Sequence, residues 1–168
     1  MVPCLTADVP LDRTDLLAVT YTRTADDWLA DWQQEVGGRP GRSAVIGIDD
    51  TTRSATTVRV APGDGHSVQA TESPDDLTGI GITISEHLSA WGPEDTHTVL
   101  CFDSLTALLQ YVPLERAYRF LHVLTGRTAA VGAHGHYHID PDAHDERTLA
   151  VLSSLFDAII EPTDEGEW

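Results

Sequence analysis

The sequence predicts an α/β fold, in which one three-layer domain holds a mostly parallel sheet of about five strands flanked by helices. Short apolar runs bounded by polar turns alternate along the chain with longer segments whose apolar residues recur every three or four positions. The short runs lack polar alternation, which is typical of strands buried on both faces of a parallel sheet. A chain of 168 residues fits one such domain and buries about 68–70% of its unfolded surface.

A strand, a helix and a second strand are predicted in the first third of the chain. Residues 15–21 and 44–48 are apolar runs of strand length. Between them, Thr24 is a favourable N-cap, and the aspartates that follow it favour the positive end of a helix. Trp28 and Trp32 lie four positions apart on one helical face. We expect these tryptophans to pack against the sheet rather than to form a ligand platform.

A polar, turn-rich segment separates the second strand from the second helix. Within this segment, residues 57–60 are expected to form an edge strand. The helix is predicted over residues 75–90, because apolar residues recur there at helical intervals. Ser73 is the expected N-cap, and Pro74 suits the first turn.

The apolar run at residues 99–102 is the centre of the second half of the chain. It ends at Asp103 and Ser104, after which leucines recur at helical spacing over residues 105–112. A carboxylate and a hydroxyl just past a buried strand lie where open α/β sheets bind ligands, so Asp103 and Ser104 are candidate binding residues. The alternative, which we favour, is a structural turn in which Ser104 caps the helix and Asp103 accepts from backbone amides.

The remaining elements complete a resemblance to a known superfamily. They are a helix over 114–125, a strand over 128–137 and a helix over 146–156. This order, after four apolar residues and the sequence Asp-Ser-Leu-Thr, resembles the Walker B segment and its succeeding elements in the RecA and KaiC ATPases. The chain is also similar to small haloarchaeal proteins called HTR-like, which are reduced relatives of those ATPases.

The resemblance implies a truncated RecA/KaiC-like core over residues 15–161. Residues 1–14 have no clear periodicity and are predicted to form an N-terminal arm, and the acidic residues 162–168 are predicted to form a C-terminal tail. At the Walker B position, Asp103 would hold magnesium through water, with Ser104 beside it, as a vestigial nucleotide site.

The sequence lacks the parts that a P-loop ATPase requires. All ten basic residues are arginine, so the lysine of GxxxxGK[ST] is absent, and no glycine-rich loop precedes the strand at residue 15. The place where KaiC-like ATPases carry paired catalytic glutamates reads Thr22-Arg23-Thr24. Positioning and charge neutralisation supply nearly all of phosphoryl-transfer catalysis. We therefore expect no ATP hydrolysis and no required cofactor, but a pseudo-ATPase that serves as a regulatory or protein-interaction module.

Alternating histidines give the second functional hypothesis. If the last strand continues through His134, His136 and His138, the three side chains share one face, with neighbours about 6.6 Å apart. Further candidate ligands follow at Asp140, Asp142 and His144. Two imidazoles at this spacing can share a divalent metal ion, which predicts a metal-binding sensor or hydrolase. The alternative is that they are packed or surface polar residues.

Composition limits the classes of partner and the compartment. A formal charge of −17 and a pI near 4.5 argue against binding to nucleic acid, which requires a basic surface. Strong acidity without lysine indicates a cytoplasmic protein of an extreme halophile, because dispersed carboxylates keep a surface hydrated in concentrated salt. No apolar run approaches the roughly 18 residues of a membrane span. Cys4 and Cys101 are too few for a disulfide framework, and Cys101 is interpreted as a small buried hydrophobe.

Three arginines are one of the few basic concentrations in the chain. Arg116, Arg119 and Arg127 could meet an acidic partner surface, including a second copy of this protein, or pair with local carboxylates such as Glu115. Loss of the P-loop unit should leave sheet edge or helix surface uncovered. We therefore expect a protein partner or a homodimer, or coverage by the N-terminal arm.

Overall fold

The computed structural model describes residues 9–48, 66–71, 73–91 and 96–161. Strands and helices alternate along these residues. Their bounds are β1 Thr14–Thr20, α1 Ala25–Val36, β2 Arg42–Ile48, β3 His66–Thr71, α2 Leu77–Ala90, β4 His97–Asp103, α3 Leu105–Tyr111, α4 Leu114–Ala130, β5 His134–Tyr137 and α5 Glu146–Ser153. None of these helices combines the length and the apolar character required to cross a membrane.

The five strands form one sheet, and every neighbouring pair is parallel. Their order is β3-β2-β1-β4-β5, so the predicted α/β class with a parallel sheet is confirmed. The order is that of the first five strands of the classical doubly wound sheet. In such sheets ligands bind at the carboxyl ends of the strands where the order reverses, which is between β1 and β4 here. The register places Thr20 beside Asp103 at that point.

The two faces of the sheet are covered unequally in the described part of the chain. On one face, alternate side chains of the central strands pack under α2, α3, α4 and α5. On the other face, Trp28 and Trp32 of α1 are fully buried against the second set of strand side chains. The predicted packing of both tryptophans is confirmed. Large indoles at a spacing of four residues let one helix cover the β1–β2–β4 surface.

A polar network closes the amino ends of the strands. Asp15, whose exposed fraction is 1%, accepts hydrogen bonds from Arg42 Nε at 2.8 Å and Nη2 at 2.6 Å. The hydroxyl of Thr96 donates to the same carboxylate at 2.7 Å. The Arg42 guanidinium also lies 5.7 Å from the ring centroid of Trp91. A buried carboxylate is tolerated here because a fork-shaped cation and a hydroxyl satisfy it.

The boundary between α4 and β5 differs from the prediction. The helix continues to Ala130 instead of ending near residue 125, and the strand covers four residues instead of ten. Thr128 was expected in the strand, but its hydroxyl donates to the Leu124 carbonyl at 2.8 Å inside the helix. The helix ends at Ala130, and the chain turns away at Gly132, whose φ of +70° glycine adopts readily.

Other boundaries also differ from the prediction. The N-cap of α2 is Asp76, which accepts from the Gly79 amide at 2.9 Å, and not Ser73. The strand β3 was not predicted, and the segment 57–60 that was expected to be a strand lies outside the described residues. The last helix ends at Ser153, three residues early. Residues 1–8 of the predicted arm and the predicted tail 162–168 also lie outside the described residues.

Cys101 is disulfide-bonded, so its interpretation as an unpaired buried hydrophobe is wrong. Cys4 lies outside the described residues. A buried strand position does not by itself show whether a cysteine is paired, because pairing depends on the positions of both Cα atoms in the fold.

Candidate functional site

The carboxyl ends of β1 and β4 meet at the switch point of the sheet. The Tyr21 amide donates to the Asp103 carbonyl at 2.7 Å. The Thr22 hydroxyl donates to Asp103 Oδ2 at 3.3 Å, while His138 Nδ1 lies 4.0 Å from Oδ1. The Asp103 side chain is 13% exposed. Asp103 is therefore held by its neighbours at the edge of the sheet.

Ser104 occupies a structural position at the start of α3. Its hydroxyl accepts a hydrogen bond from the Ala107 amide at 3.2 Å, which is the N-cap arrangement favoured for this residue. The peptide bond between Asp103 and Ser104 is cis. The next amide, of Leu105, donates to the His138 carbonyl at 2.7 Å and ties this turn to the end of β5. The Ser104 hydroxyl, which the sequence made a candidate ligand, therefore caps a helix.

The turn after β1 is electrostatically unsuited to a phosphate group. In doubly wound sheets a phosphate binds at the N-terminus of the helix that follows the central strand. Here the Thr24 hydroxyl accepts from the Asp27 amide at 3.2 Å, and the first turn of α1 carries Asp26 and Asp27. The nearby Arg23 forms an ion pair with Asp31. Capping and local negative charge both oppose an anion at this position.

The histidines of β5 share a face of the sheet but separate into different contacts. His134 and His136 pair in register with Val99 and Cys101, so alternate residues point the same way, as expected. The His134 ring packs against His97, with the ring centroids 4.4 Å apart. The His138 ring lies toward Asp103 instead, with Nδ1 4.0 Å from Oδ1. Among the described residues, no group of three or more histidine, cysteine, aspartate or glutamate side chains is placed to hold a metal ion.

The surroundings of these histidines favour the uncharged imidazole. Burial first, and then the neighbouring histidines, lower the pKa of His136. The same two causes lower the pKa of His97. Burial also lowers the pKa of His138, although the carboxylate of Asp103 opposes this shift. Clustered, partly desolvated bases lose protons readily because each charge would repel the others.

The further ligand candidates after β5 stabilise a loop. The Asp140 amide donates to the Thr106 hydroxyl at 2.9 Å, and His144 Nε2 lies 3.0 Å from the same oxygen. The Asp140 carboxylate accepts from the Asp142 amide at 3.0 Å and caps a short 3₁₀ turn. These residues fasten the β5–α5 connection to α3, and the structure gives them a local structural role.

A groove between α2 and α4 is the concave feature that the sequence did not predict. Its volume is about 410 Å³, and Leu77, Phe120 and Leu124 contribute apolar lining. Two large apolar side chains on its flanks face solvent, Ile82 at 53% exposed and Val123 at 51% exposed. Groups of exposed apolar side chains on a protein surface mark interaction sites.

Three arginines of α4 also line the groove. One Arg116 Nη donates to the Asp75 carbonyl at 3.2 Å, and one Arg127 Nη donates to the Ser85 hydroxyl at 2.5 Å. Arg119 is exposed. Within the described residues, none of the three forms a salt bridge with a carboxylate. Among the described residues no ion pair joins these arginines to Glu115, although Glu115 and Arg119 lie four positions apart on the same side of α4.

Arg116 also affects the pKa of the Asp75 carboxyl group without contacting it. The Ser73 hydroxyl is the main cause of the lowered pKa of Asp75, and the charge of Arg116 adds to that effect. This attraction does not bring the two side chains into an ion pair. The three guanidinium groups therefore have no carboxylate partner among the described residues, although Arg116 and Arg127 already donate to uncharged oxygens.

The sequence model of a family of unknown function, DUF7504, matches residues 4–162. The chain belongs to the DUF7504 family. No curated protein matches the chain in sequence. The family description assigns no activity, so the function of this DUF7504 chain has to be argued from its own residues.

One sequence signal could have pointed to the groove of the DUF7504 chain. Ile80 and Ile84 form the buried stripe of α2, and Ile82 lies between them on a different face of the helix. Val123 similarly falls outside the stripe formed by the buried Leu121 and Leu124 of α4. A large apolar residue off the buried stripe of an amphipathic helix indicates a second contact surface.

Proposed function

We propose that this DUF7504 chain is a non-catalytic regulatory or protein-interaction module, a pseudo-ATPase related to RecA and KaiC, that docks a protein partner in the groove between α2 and α4. The observation that carries the proposal is the combination of exposed apolar side chains with arginines that have no carboxylate partner among the described residues. Protein interfaces are enriched in arginine and in apolar anchors.

The apolar part of the groove supports docking because it supplies both a depression and anchors. Ile82 projects from α2 and Val123 from α4, so an occupant seated between the helices would cover both. Burying one such side chain is favourable by about 1.5–3 kcal/mol. Ile82 and Val123 are already about half buried, so an occupant would gain about half of that free energy from each.

The carboxyl ends of the strands support a function without ATP hydrolysis. The sequence has no lysine to neutralise triphosphate charge. Asp26 and Asp27 occupy the helix start at which an anion would bind. Asp103 is hydrogen-bonded by Thr22 at the matching strand end, and this contact needs no nucleotide.

We further infer that the module works in the cytoplasm of an extreme halophile. The support is compositional: 27 acidic residues stand against ten basic ones, all of which are arginine. In concentrated salt the screening length falls to about 3 Å at 1 M, so net repulsion between two acidic proteins is weak and contact pairs dominate. Docking through a local basic groove is compatible with a strongly acidic surface under those conditions.

Affinity purification with matched variants tests the docking function. The immobilised chain is incubated with extract of its source cells in molar salt, beside an Ile82→Ser, Val123→Ser double variant and a Val131→Ser control. Val131 is 46% exposed at the end of α4, outside the groove. We expect one stoichiometric partner to be retained by the wild type and the control and lost by the double variant.

Two results would contradict the proposal. One is equal retention of partners by the double variant, with unchanged circular dichroism and thermal unfolding showing that it is folded. The other is turnover of magnesium-ATP by the isolated chain that Asp103→Asn abolishes, since this would make the strand end catalytic.

A further inference from the structure

We infer that the occupant of the groove is an acidic amphipathic helix of another protein, an assignment that rests on the proposed docking function. The inference combines the spacing of the groove arginines, the apolar anchors between them and the consequence of pairing the groove with itself.

The arginines form a ladder along one face of α4. Arg119 follows Arg116 by three positions and Arg127 follows it by eleven, offsets that return to nearly the same side of a helix. At 1.5 Å per residue the ladder is about 16 Å long, or about three helical turns. Arg116 and Arg119 are about one turn apart, and Arg119 and Arg127 are about two turns apart, so an incoming helix with carboxylates at those turns along one edge can face all three.

The apolar anchors lie beside this ladder. Leu77 and Phe120 line the depression, and Ile82 and Val123 flank it on opposite helices. A helix laid in such a groove buries apolar residues at positions i, i+3, i+4 and i+7 while its flanks stay polar. The groove therefore matches a helix with one apolar stripe and one acidic edge. Each guanidinium can hold a carboxylate through two parallel hydrogen bonds, which lysine cannot do.

Symmetric pairing of two copies through this groove is unfavourable. An isologous contact brings the same patch of both subunits together, so each arginine ladder would face another arginine ladder. Close cation pairs of this kind are repulsive even when long-range charge is screened, because screening is weak within contact distance. A polyanion such as nucleic acid is also disfavoured, since the formal charge of the whole chain is −17.

Selection from a displayed helix library tests this assignment. The library consists of helical peptides of about 18 residues, whose length of about 27 Å is close to that of α4. Selection is made on the immobilised wild-type chain in molar salt. We expect the recovered peptides to carry an apolar stripe and to be enriched in aspartate and glutamate beside it.

Variants locate the binding site of the selected peptides. Arg119→Glu should weaken binding at least about tenfold, as expected for loss and reversal of a close charge pair. Arg39→Glu is the matched control, because Arg39 is exposed after α1 and outside the groove, and it should leave binding unchanged. Circular dichroism of each variant confirms that the fold is retained.

The outcomes separate the inference from the function on which it rests. Peptides that require Ile82 and Val123 but lack acidic enrichment would overturn the acidic helix and leave the docking function standing. Peptides insensitive to every groove variant would contradict both. A dimer seen by sedimentation in molar salt and removed by Arg119→Glu would assign the groove to a second copy instead.

Discussion

Arginine occurs in two contrasting settings on the two sides of this molecule. Arg42 at the amino ends of the strands is fixed by two hydrogen bonds to the buried carboxylate of Asp15. Arg119 in the α2–α4 groove is exposed, and neither it nor its neighbours Arg116 and Arg127 has a carboxylate within 4.0 Å among the described residues. Arg42 completes a buried ion pair, whereas Arg116 and Arg127 donate only to uncharged oxygens of residues 75 and 85, and Arg119 is exposed.

The contrast shows that a strongly acidic chain can place its few arginines either in buried ion pairs or on an exposed surface. A buried carboxylate must be paired, because leaving it alone in the interior costs several kcal/mol. An exposed guanidinium has no such requirement, since water solvates it. In a chain with ten arginines and 27 acidic residues, ion pairing within the described residues therefore does not explain the three arginines gathered on α4. The proposed recognition of an acidic partner would account for them.

The largest expected effect comes from removing the ion pair between Asp15 and Arg42. Asp15→Asn should lower the free energy of unfolding by about 3 kcal/mol, because it leaves the Arg42 guanidinium without its counter-charge in a mostly buried site. Arg119→Ala should change it by no more than about 0.5 kcal/mol, as for other exposed substitutions. Denaturant unfolding of both variants measures this. Equal losses would remove the distinction between the two arginine settings.

The next largest effect should be a loss of folding stability on acidification, caused by three histidines whose charged forms are disfavoured in the folded protein. The folded-state pKa values of His97, His136 and His138 lie below the ordinary 6.5. Between the folded and unfolded pKa values the unfolded chain binds more protons, so stability increases with pH in this range. Stability should be complete above about pH 6.5 and should fall as the pH is lowered from there toward 5.

A single substitution checks the origin of that decline. His136→Gln should flatten the dependence of thermal stability on pH in this window, because it removes one of the depressed groups. His122→Gln, on the exposed side of α4, serves as the control. The lowered pKa values of Asp75 and Asp145 affect stability only near and below their ordinary 3.8, so these two carboxyl groups do not contribute to the slope in this window. An unchanged slope in His136→Gln would contradict the assignment.

The smallest expected effect concerns the carboxyl ends of the strands. Ser104→Ala removes the cap of α3 and should cost about 1 kcal/mol. Ser104→Asp should recover most of this loss, because aspartate is an equally good N-cap. Thermal unfolding compares the two variants. Failure of the aspartate to recover stability would point to a use of the hydroxyl other than capping.

The sequence predicted the core of the fold because burial leaves a direct pattern. Residues 99–102 are apolar without interruption, since β4 lies between β1 and β5 and is covered on both faces. The edge strand His66–Thr71 escaped notice because its sequence, HSVQAT, lacks that pattern. His134 and His136 lie on one face of β5 as predicted, but this edge strand ends at Tyr137, before His138, and the contacts with His97 and Asp103 separate the rings.

The groove could not be derived from the sequence for a different reason. Ile82 and Val123 are 41 positions apart in the numbering, and only the packing of α2 against α4 makes them neighbours. The arginines of α4 were recognised as a basic concentration, whereas their lack of carboxylate partners depends on the positions of all surrounding side chains. Patterns along one helix can predict what that helix buries, but not what an adjacent helix leaves open.

A charge exchange between the groove and a selected acidic helix tests the central claim most directly. Binding is measured by fluorescence anisotropy in molar salt for Arg119→Glu, for a peptide whose facing glutamate is replaced by arginine, and for the two together. We predict that each single exchange weakens binding by about tenfold and that the double exchange restores the affinity to within about threefold of the original. A double exchange as weak as the product of the two single losses would show that Arg119 does not pair with an acidic helix.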